Sequence, residues 1–300
     1  MIINKETKVL VQGITGKEGS RATKEMIAYG TKVVAGVTPG KGGQEVENLP
    51  VFNTVKEAKE FDKEINATVL YVPPLFVKGA ALEAIEAGIE LIVIITENVP
   101  VQDTAKFVEL AAKKNIRIIG PSSIGILQLG ECRIGSIGGA NEDRMYSKGN
   151  VAIVSKSGGM CSETSLLLTQ QGIGQSTVVG IGGDVICGTS FTDMFALLEK
   201  DENTKVIVMY GEIGGKYEEL AAQMIKNGDV TKPVVAFISG QFAQKLSREV
   251  AMGHAGAIIE KGSGSAQEKK KVLKESGALI ANYHDEIPTL VKEALEKNGI

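Results

Sequence analysis

The stretch Lys8-Val9-Leu10-Val11-Gln12-Gly13-Ile14-Thr15-Gly16-Lys17-Glu18-Gly19 predicts the fold of the first half of the chain. An apolar run of strand length leads into glycines spaced as GxxGxxG, and a helical pattern continues to about Tyr29. A strand, a glycine turn and a helix in this order are typical of a βαβ unit on a parallel sheet. Because glycines and a helix N-terminus expose backbone N–H groups to an anion, the loop is a candidate phosphate site.

The same alternation of strands and helices runs along the whole chain. In the first half it predicts strands at 8–12, 32–35, 68–72, 91–95 and 116–119, with helices at 17–29, 75–87 and 104–114. In the second half it predicts strands at 151–154, 176–179, 206–209 and 234–238, with helices at 160–171, 191–199, 218–226, 267–276 and 287–296. The segment 120–149 is rich in Gly, Ser and Pro and indicates a crossing between two domains, 1–124 and 125–300. The charge run Glu268–Lys271 is interpreted as a solvated helix face.

Composition narrows the class of protein. Three hundred residues suit two globular domains, and 33 basic against 36 acidic residues give a net charge of −3. That balance argues against a nucleic acid or an anionic membrane as partner. The apolar runs are too short to span a bilayer, the start has no secretory pattern, and three cysteines form no metal or disulfide framework. We therefore expect a cytoplasmic protein.

Three glycine loops follow predicted strands in the second half: 155–159, 180–184 and 211–215. The first opens a helix, so Ser157, Gly158 and Gly159 can present N–H groups to an anion. The second supplies Gly182 and Gly183, and the third carries Glu212 inside its glycine turn.

His254 lies among small residues in Gly253-His254-Ala255-Gly256-Ala257 and is the candidate nucleophile. Imidazole accepts phosphoryl groups, and Glu212 could hold one ring nitrogen so that the other is presented. The chain's other histidine, His284, reads as a surface turn or capping residue. No Walker A motif or second carboxylate cluster is present, so we do not expect this chain to bind nucleotide and metal itself.

The segment after the second strand helps to separate alternative ligands. It runs Gly36-Val37-Thr38-Pro39-Gly40-Lys41-Gly42-Gly43 and lacks the acidic residue that would bind the ribose of NAD. Lys41 suits an additional phosphate, such as the 3′-phosphate of coenzyme A (CoA). An NAD-dependent dehydrogenase is therefore disfavoured, and a non-enzymatic CoA- or NAD-binding regulator would have no need of His254.

The motifs together resemble the succinyl-CoA synthetase (succinate–CoA ligase) alpha-subunit family from about Thr7 to Leu295. The matching segments are 13–16, 37–43, 95–97, 180–184, 211–215 and 253–257. The resemblance implies a Rossmann-like CoA-binding domain followed by a flavodoxin-like α/β ligase domain. It also implies CoA contacts from Thr15, Gly16, Lys17, Glu18, Lys41, Ile95, Thr96 and Glu97.

The resemblance further implies an acid–thiol ligase in which His254 is phosphorylated and oriented by Glu212. The phosphate is received at the helix that begins after Ser157, and an acyl phosphate then yields the acyl-CoA. The family's ATP-grasp beta subunit supplies ATP or GTP with Mg²⁺. The expected assembly is therefore an αβ or α2β2 hetero-oligomer acting on a small carboxylic acid.

The sequence departs from the succinate pattern around the acid substrate. Ser162 stands where succinate enzymes carry a tyrosine associated with substrate, which would open space for a larger acid. The segments 155–160, 134–139 and 247–250 look more like ATP-citrate lyase and citryl-CoA synthetase. Succinate is therefore the first expectation, with citrate or malate as the alternative.

Overall fold

The computed structural model describes residues 2–139, 142–241, 254–257, 264–297 and 299. They belong to two compact units, one formed by residues 2–140 with 186–189 and the other by 141–185 with 190–300. Each unit contains a predominantly parallel set of strands with connecting helices, which confirms the predicted α/β class.

The first unit begins with the strand, glycine turn and helix that the sequence predicts. Its elements are β1 (Lys8–Gln12), α1 (Lys17–Tyr29), β2 (Lys32–Val37), β3 (Glu45–Val46), β4 (Leu49–Phe52), α2 (Val55–Phe61), β5 (Ala67–Leu70), α3 (Val77–Glu86), β6 (Leu91–Ile94), α4 (Val101–Lys113), β7 (Arg117–Ile119), β8 (Gly125–Gln128) and β9 (Cys132–Gly135). The first sheet has the order β3-β4-β2-β1-β5-β6-β7, with β3 antiparallel. The chain moves from β1 to β2 on one side and to β5 on the other, so a topological switch point lies between β1 and β5.

Burial explains why these elements form. β1, β5 and β6 contribute runs of buried apolar side chains, as expected for strands covered on both faces. Helix α1 buries Gly19, Ala22, Thr23 and Met26, which recur at helical spacing along one face. It ends at Gly30, whose φ of 94° is a left-handed conformation that favours glycine.

Several short elements of this unit were not predicted from the sequence. Strands β3 and β4, helix α2 and the β8–β9 hairpin all fall in segments that show no clear strand or helix periodicity. The hairpin is antiparallel, and a Cβ on Gly125 would lie 2.0 Å from the Ile134 carbonyl oxygen. Gly125 therefore permits close pairing of β8 with β9 and does not mark a loop.

The hairpin packs within the first unit, although the sequence division falls at residue 124. Thr31 Oγ1 donates a hydrogen bond to the Arg133 carbonyl oxygen at 2.8 Å, and Arg133 Nη2 lies 2.7 Å from Glu25 Oε2. The division into a CoA-binding domain at 1–124 and a ligase domain at 125–300 stays a prediction.

The second unit repeats the α/β plan with a different strand order. Its elements are α5 (Glu142–Met145), β10 (Lys148–Ser155), α6 (Gly158–Gln170), β11 (Gln175–Gly180), α7 (Phe191–Glu199), β12 (Val206–Gly211), α8 (Tyr217–Asn227), β13 (Val234–Ile238), α9 (Ala266–Glu275), β14 (Leu279–Ala281) and α10 (Ile287–Lys297). Its parallel strands have the order β14-β13-β12-β10-β11, the flavodoxin-like arrangement. The switch point lies between β10 and β12.

The solvated-face interpretation of the run Glu268–Lys271 is wrong for its two central lysines, since Lys270 is half-buried with Nζ 5.7 Å from the centroid of the Phe237 ring. Lys271 is exposed and Glu268 caps the helix through Ser265, but the Lys269 side chain is fully buried. It is buried because α9 packs on α8, where carboxylates receive the ammonium.

Membrane-spanning helices and metal-ligand clusters are absent from the part of the chain that the structure describes. No helix there is long and apolar enough to cross a membrane. No group of three or more His, Cys, Asp or Glu side chains there could hold a metal ion. The citrate-like segment 247–250 lies outside the described residues.

Candidate functional site

The three glycine loops of the second unit follow β10, β11 and β12. These strands are neighbours in the sheet and run parallel, so the loops lie at one edge. Ligands of open α/β sheets bind at the carboxyl ends of strands near the switch point, which here falls between loops 155–159 and 211–215. Topology therefore brings Ser157 and Glu212 to the position where a ligand is expected.

The structure brings His254 and Glu212 together. His254 Nδ1 lies 2.5 Å from Glu212 Oε2, a short hydrogen bond across 42 residues of chain. The imidazole fits against Gly183, where an added Cβ would come within 2.6 Å of the ring. Gly256 N–H also donates to the Gly183 carbonyl oxygen at 3.0 Å, so the histidine loop and the second glycine loop are joined.

Glu212 is held as a carboxylate. Its own burial would raise the pKa, but the hydrogen bond from His254 and the positive charge of Lys156 outweigh burial, and the pKa lies below its usual range. Lys156 Nζ lies 3.2 Å from Glu212 Oε1. Because an ionised carboxylate only accepts hydrogen bonds, Nδ1 of His254 carries a proton, and in the neutral ring the lone pair is then on Nε2.

Lys156 is the residue of this site that the sequence analysis missed. Its side chain is 2% exposed, and Nζ lies 4.9 Å from the centroid of the Tyr217 ring as well as beside Glu212. A lysine between the end of a strand and a glycine-led helix is a signal for phosphate binding that could have found it. Its burial depends on the distant loop that carries Glu212, which no local pattern reveals.

Helix α6 begins next to this cluster, as predicted. Ser157 caps the helix by accepting a hydrogen bond from the Met160 N–H at 3.4 Å, and it is itself held by Ser155. A Cβ on Gly159 would meet nothing within 4 Å, so the first turn has open space beside it. The first turn of a helix offers N–H groups and a partial positive charge to an anion.

Ser162 lies on α6 and has a neighbour that the sequence did not indicate. Its hydroxyl is 3.2 Å from the hydroxyl of Tyr146, which is buried with 5% exposure. A tyrosine from another part of the chain therefore brings a phenol hydroxyl to the serine. The space expected beside Ser162 is partly filled from Tyr146.

His284 was expected to be a surface turn or capping residue; it lies in a turn before the last helix, but its side chain is not fully exposed. It is half-buried, Nε2 lies 2.9 Å from Thr164 Oγ1, and the ring packs edge-on against Tyr210 and Phe237. Burial lowers the pKa of His284, although the charges of nearby carboxylates act in the opposite direction. The 3₁₀ turn His284–Glu286 places the imidazole against the rings of Tyr210 and Phe237.

The first unit has its own candidate anion site at the N-terminus of α1. The helix begins at Lys17 with Gly16 as its cap residue, and no side chain caps it. Thr15 Oγ1 lies 3.2 Å from Thr38 Oγ1, which brings the ends of β1 and β2 together. At Gly13, φ is 82° and a Cβ would lie 2.8 Å from the Tyr71 carbonyl oxygen, so the tight turn requires glycine. Glu18 in the first turn pairs with Arg21 at 2.6 Å.

Two further loops line the same sheet edge. Lys41 is exposed on a glycine loop that Asn53 organises, because Asn53 Oδ1 accepts from Gly40 N–H at 2.9 Å and from Gly42 N–H at 3.1 Å. After β6, Ile95 and Thr96 are half-buried and Glu97 is exposed. Thr96 Oγ1 donates to the Val72 carbonyl oxygen at 2.7 Å.

These loops fit a phosphorylated nucleotide ligand. They combine an uncapped helix N-terminus, a glycine turn with no room for side chains and an exposed lysine at the carboxyl ends of β1, β2 and β6. The arrangement offers backbone N–H groups and the positive charge of Lys41 to phosphates, and it places no acidic side chain directly after β2.

Family models match both halves of the chain. A CoA-binding domain matches residues 4–98, and a CoA-ligase domain matches residues 154–279. With the folds described above, these matches define the chain as an acid–thiol ligase that binds CoA. The chain is 47% identical over 300 residues to succinate–CoA ligase (ADP-forming) subunit alpha from Staphylococcus aureus, covering 100% of this chain and 96% of that protein. It belongs to the succinate–CoA ligase alpha-subunit family.

Solved structures give the same fold. ATP citrate lyase from Methanothrix soehngenii, in complex with citrate and coenzyme A, matches with a TM-score of 0.93 and 26% identity. That match covers 100% of this chain, which spans only 52% of the lyase chain. Dinucleotide-forming acetyl-coenzyme A synthetase 1 from Ca. Korarchaeum cryptofilum shares the fold with a TM-score of 0.77 and 22% identity, covering 96% of this chain and 60% of that chain.

Family membership confirms the predicted acyl-CoA ligase alpha subunit, and with it a beta subunit as partner. It disfavours the dehydrogenase and the non-enzymatic regulator. The roles of individual site residues stay predictions.

Proposed function

We propose that this chain is the alpha subunit of a nucleotide-dependent succinate–CoA ligase and that it carries phosphate transiently on Nε2 of His254. The observation that carries the proposal is the 2.5 Å contact between His254 Nδ1 and Glu212 Oε2. With a proton on Nδ1, the neutral ring has its lone pair on Nε2, the requirement for a nucleophilic imidazole.

The reaction has three transfers. Nε2 of His254 attacks the γ-phosphorus of the nucleotide triphosphate, the bond to the β-phosphate oxygen breaks, and the diphosphate leaves. A carboxylate oxygen of the acid then takes the phosphoryl group, which gives an acyl phosphate and restores neutral His254. Finally the CoA thiolate attacks the acyl carbon, and inorganic phosphate leaves as the acyl-CoA forms. Splitting the condensation in this way replaces one difficult step by easier ones.

Charges around the ring suit this chemistry. Glu212 stabilises the positive charge that develops on the imidazole as Nε2 forms its bond, and Lys156 balances the carboxylate when the ring is neutral. The first turn of α6, with Ser157, Gly158 and Gly159, provides dipoles for the phosphoryl oxygens. In the second glycine loop, Gly182 has φ 106° and Gly183 leaves room for the ring.

CoA binding falls to the loops of the first unit. The N-terminus of α1, from Thr15 through Gly16 and Lys17 to Glu18, suits the pyrophosphate. Lys41 suits the 3′-phosphate through a charge-assisted hydrogen bond. Ile95, Thr96 and Glu97 form the remaining wall in this proposal. CoA supplies the thiol that accepts the acyl group.

The nucleotide and Mg²⁺ belong to an ATP-grasp beta subunit in this proposal. In the part of the chain that the structure describes there is no cluster of carboxylates and histidines for a metal. The relative from Staphylococcus aureus is named as ADP-forming, which favours ATP over GTP for this chain. An αβ or α2β2 assembly in the cytoplasm completes the proposal.

Citrate is the second candidate acid, and two observations favour it. The structure of ATP citrate lyase that binds citrate and coenzyme A superposes with a TM-score of 0.93. Ser162, whose hydroxyl lies 3.2 Å from that of Tyr146, also replaces the tyrosine of the succinate pattern. Malate, a smaller hydroxy acid, is the related third possibility.

The test of the phosphohistidine is an assay of the full complex with its beta partner. His254→Asn should abolish acyl-CoA formation and the acid-labile label from γ-labelled ATP, whereas His284→Asn should retain the label. Turnover by His254→Asn would contradict the proposal. Parallel assays with succinate, citrate and malate identify the acid, since the preferred substrate gives the highest kcat/KM.

A further inference from the structure

A fully buried ion pair lies behind the loop that carries Glu212. Lys269 on α9 and Glu218 on α8 are both 0% exposed, and the Lys269 ammonium donates a hydrogen bond to Glu218 Oε2. Removing two charges from water has a free-energy cost that their attraction barely offsets, so a buried pair is weak evidence for stability. The contacts that the pair makes with its neighbours give another reason for its presence.

Both members of the pair bind the backbone of loop 211–215. The second carboxylate oxygen of Glu218, Oε1, accepts a hydrogen bond from the Glu212 backbone N–H at 3.1 Å. The Lys269 ammonium donates a hydrogen bond to the Gly214 carbonyl oxygen. The loop is therefore attached at Glu212 itself and again two residues further on.

Gly211 shows how closely Glu218 approaches the loop. A Cβ at Gly211 would lie 2.8 Å from Glu218 Cγ and 2.9 Å from Oε1. Glycine at this position therefore gives the carboxylate access to the Glu212 N–H.

We propose that Glu218 and Lys269 are positioning residues, which fix the backbone at Glu212 and so hold its carboxylate within hydrogen-bonding distance of His254. Neither residue touches the reacting atoms. A contact of 2.5 Å tolerates little movement, and rotation of the backbone at Glu212 would carry the carboxylate away from Nδ1. The inference rests on the proposed role of His254, since positioning matters only if that ring reacts.

Two double variants separate the hydrogen bond from the charge. E218Q/K269M and E218M/K269M both replace the buried pair by uncharged side chains of similar length. Only glutamine retains an oxygen that can accept from the Glu212 N–H. The exposed pair Lys271 and Glu275, which lie 3.9 Å apart on the same helix, gives the matched control K271M/E275Q.

The first readout is independent of phosphate. With only two histidines in the chain, ring ¹⁵N NMR of the full-length protein resolves both imidazoles. We expect His254 with Nδ1–H in the native chain and in the glutamine variant, and a mixture of tautomers in the methionine variant. The signals of His284 should stay unchanged in all of them.

The second readout is the rate of His254 phosphorylation in the complex with the beta subunit. Misplacement of a catalytic group by about 1 Å costs up to about 100-fold in rate. E218M/K269M should therefore phosphorylate about 10- to 100-fold more slowly, and E218Q/K269M should recover most of that loss. K271M/E275Q should keep the native rate.

The outcomes distinguish this inference from the proposed function. Native tautomers and rates in E218M/K269M, or equal losses in both double variants, would overturn the positioning role. A native tautomer pattern in a chain that never takes up phosphate would overturn the phosphohistidine and leave the positioning intact. If E218M/K269M does not fold, Gly211→Ala displaces the Glu218 carboxylate with both charges retained, and the same change at His254 is expected.

Discussion

The two units place glycine loops at equivalent positions but equip them differently. In the first, loops at the carboxyl ends of β1, β2 and β6 offer an uncapped helix and an exposed cation, Lys41. In the second, loops after β10, β11 and β12 surround buried charges, with Lys156 2% and Glu212 6% exposed. An exposed edge suits the reversible binding of a large, hydrated ligand. Buried charges of fixed orientation suit the stabilisation of charge that develops during a reaction.

The largest expected effect comes from removing the charge beside the histidine. Glu212→Gln retains the shape but can donate its amide to the ring, so the wrong nitrogen is presented, a change that costs up to about 10,000-fold in a related arrangement. We expect a loss of about 100- to 10,000-fold in phosphorylation rate, measured by rapid quench. CoA affinity should not change. Glu275→Gln, an exposed carboxylate, is the control, and a native rate in Glu212→Gln would remove the distinction between the two units.

Gly183→Ala tests the steric side of the second unit. The added Cβ would meet the His254 ring at 2.6 Å, so the ring must move from Glu212. We expect about 10- to 100-fold slower phosphorylation with a folded protein. Gly79→Ala is the matched control: its Cβ meets nothing within 4 Å, and alanine in an exposed helix should raise the free energy of unfolding by up to about 1 kcal/mol. Native phosphorylation by Gly183→Ala would mean that the ring does not react from this position.

Lys41→Glu tests the first unit. Loss of a charge-assisted phosphate contact should weaken CoA binding by about 1–3 kcal/mol, measured by calorimetry, and the loss should shrink at high salt. Phosphorylation of His254 should proceed normally. Lys24→Glu, an exposed lysine of α1, controls for net charge. An unchanged dissociation constant in Lys41→Glu would take the lysine out of the CoA site.

Ser162→Tyr tests how the acid is selected. A tyrosine here competes for space with Tyr146, whose hydroxyl lies 3.2 Å from the Ser162 hydroxyl. We expect preference for smaller diacids to rise by about tenfold in the ratio of kcat/KM values. Tyr146→Phe removes the hydroxyl contact without adding bulk and serves as the comparison. If both variants keep the substrate preference of the native enzyme, the pair Ser162 and Tyr146 has no role in selecting the acid.

The smallest effect concerns pH and stability. The pKa of His284 in the folded state is lowered from 6.5, because burial against Tyr210 and Phe237 outweighs the charges of Glu163 and Asp285. The unfolded chain therefore binds the proton more readily, and the stability contributed by neutral His284 is lost as pH falls below about 6.5. Chemical denaturation between about pH 5 and 7 should show the free energy of unfolding fall as the pH decreases, and His284→Gln should make this fall less steep. An equally steep fall in both proteins would contradict the lowered pKa of His284.

Local patterns were sufficient for the frame of both units. Buried apolar runs such as Leu91–Ile94 indicated buried strands, and the glycine clusters after β1, β11 and β12 predicted the candidate ligand edges. His254 and Glu212 were predicted as site residues because few side chains have the chemistry for phosphoryl transfer. The position of the ring proton could be inferred only from the distance between the two side chains.

What the sequence did not reveal depends on contacts between distant segments. Lys269 lies in a charged run that looks solvated, and its burial follows from contacts with Glu218 on α8 and with Gly214, 55 residues away. The sequence around Lys156 does not indicate that the side chain is buried, because its contact with Glu212 comes from a distant loop. The contact between the Tyr146 and Ser162 hydroxyls joins residues that are 16 positions apart. The strands of the β8–β9 hairpin lie in a glycine-rich segment that has no clear strand pattern.

A single-turnover experiment tests directly whether His254 carries the phosphoryl group during the reaction. The complex with the beta subunit is incubated with ATP and Mg²⁺ alone, and the phosphorylated residue is located by mass spectrometry under non-acidic conditions. We expect one phosphoryl group on His254, which disappears as one acyl-CoA forms when the acid and CoA are added. Formation of acyl-CoA in that first turnover without phosphate ever residing on His254 would contradict this expectation.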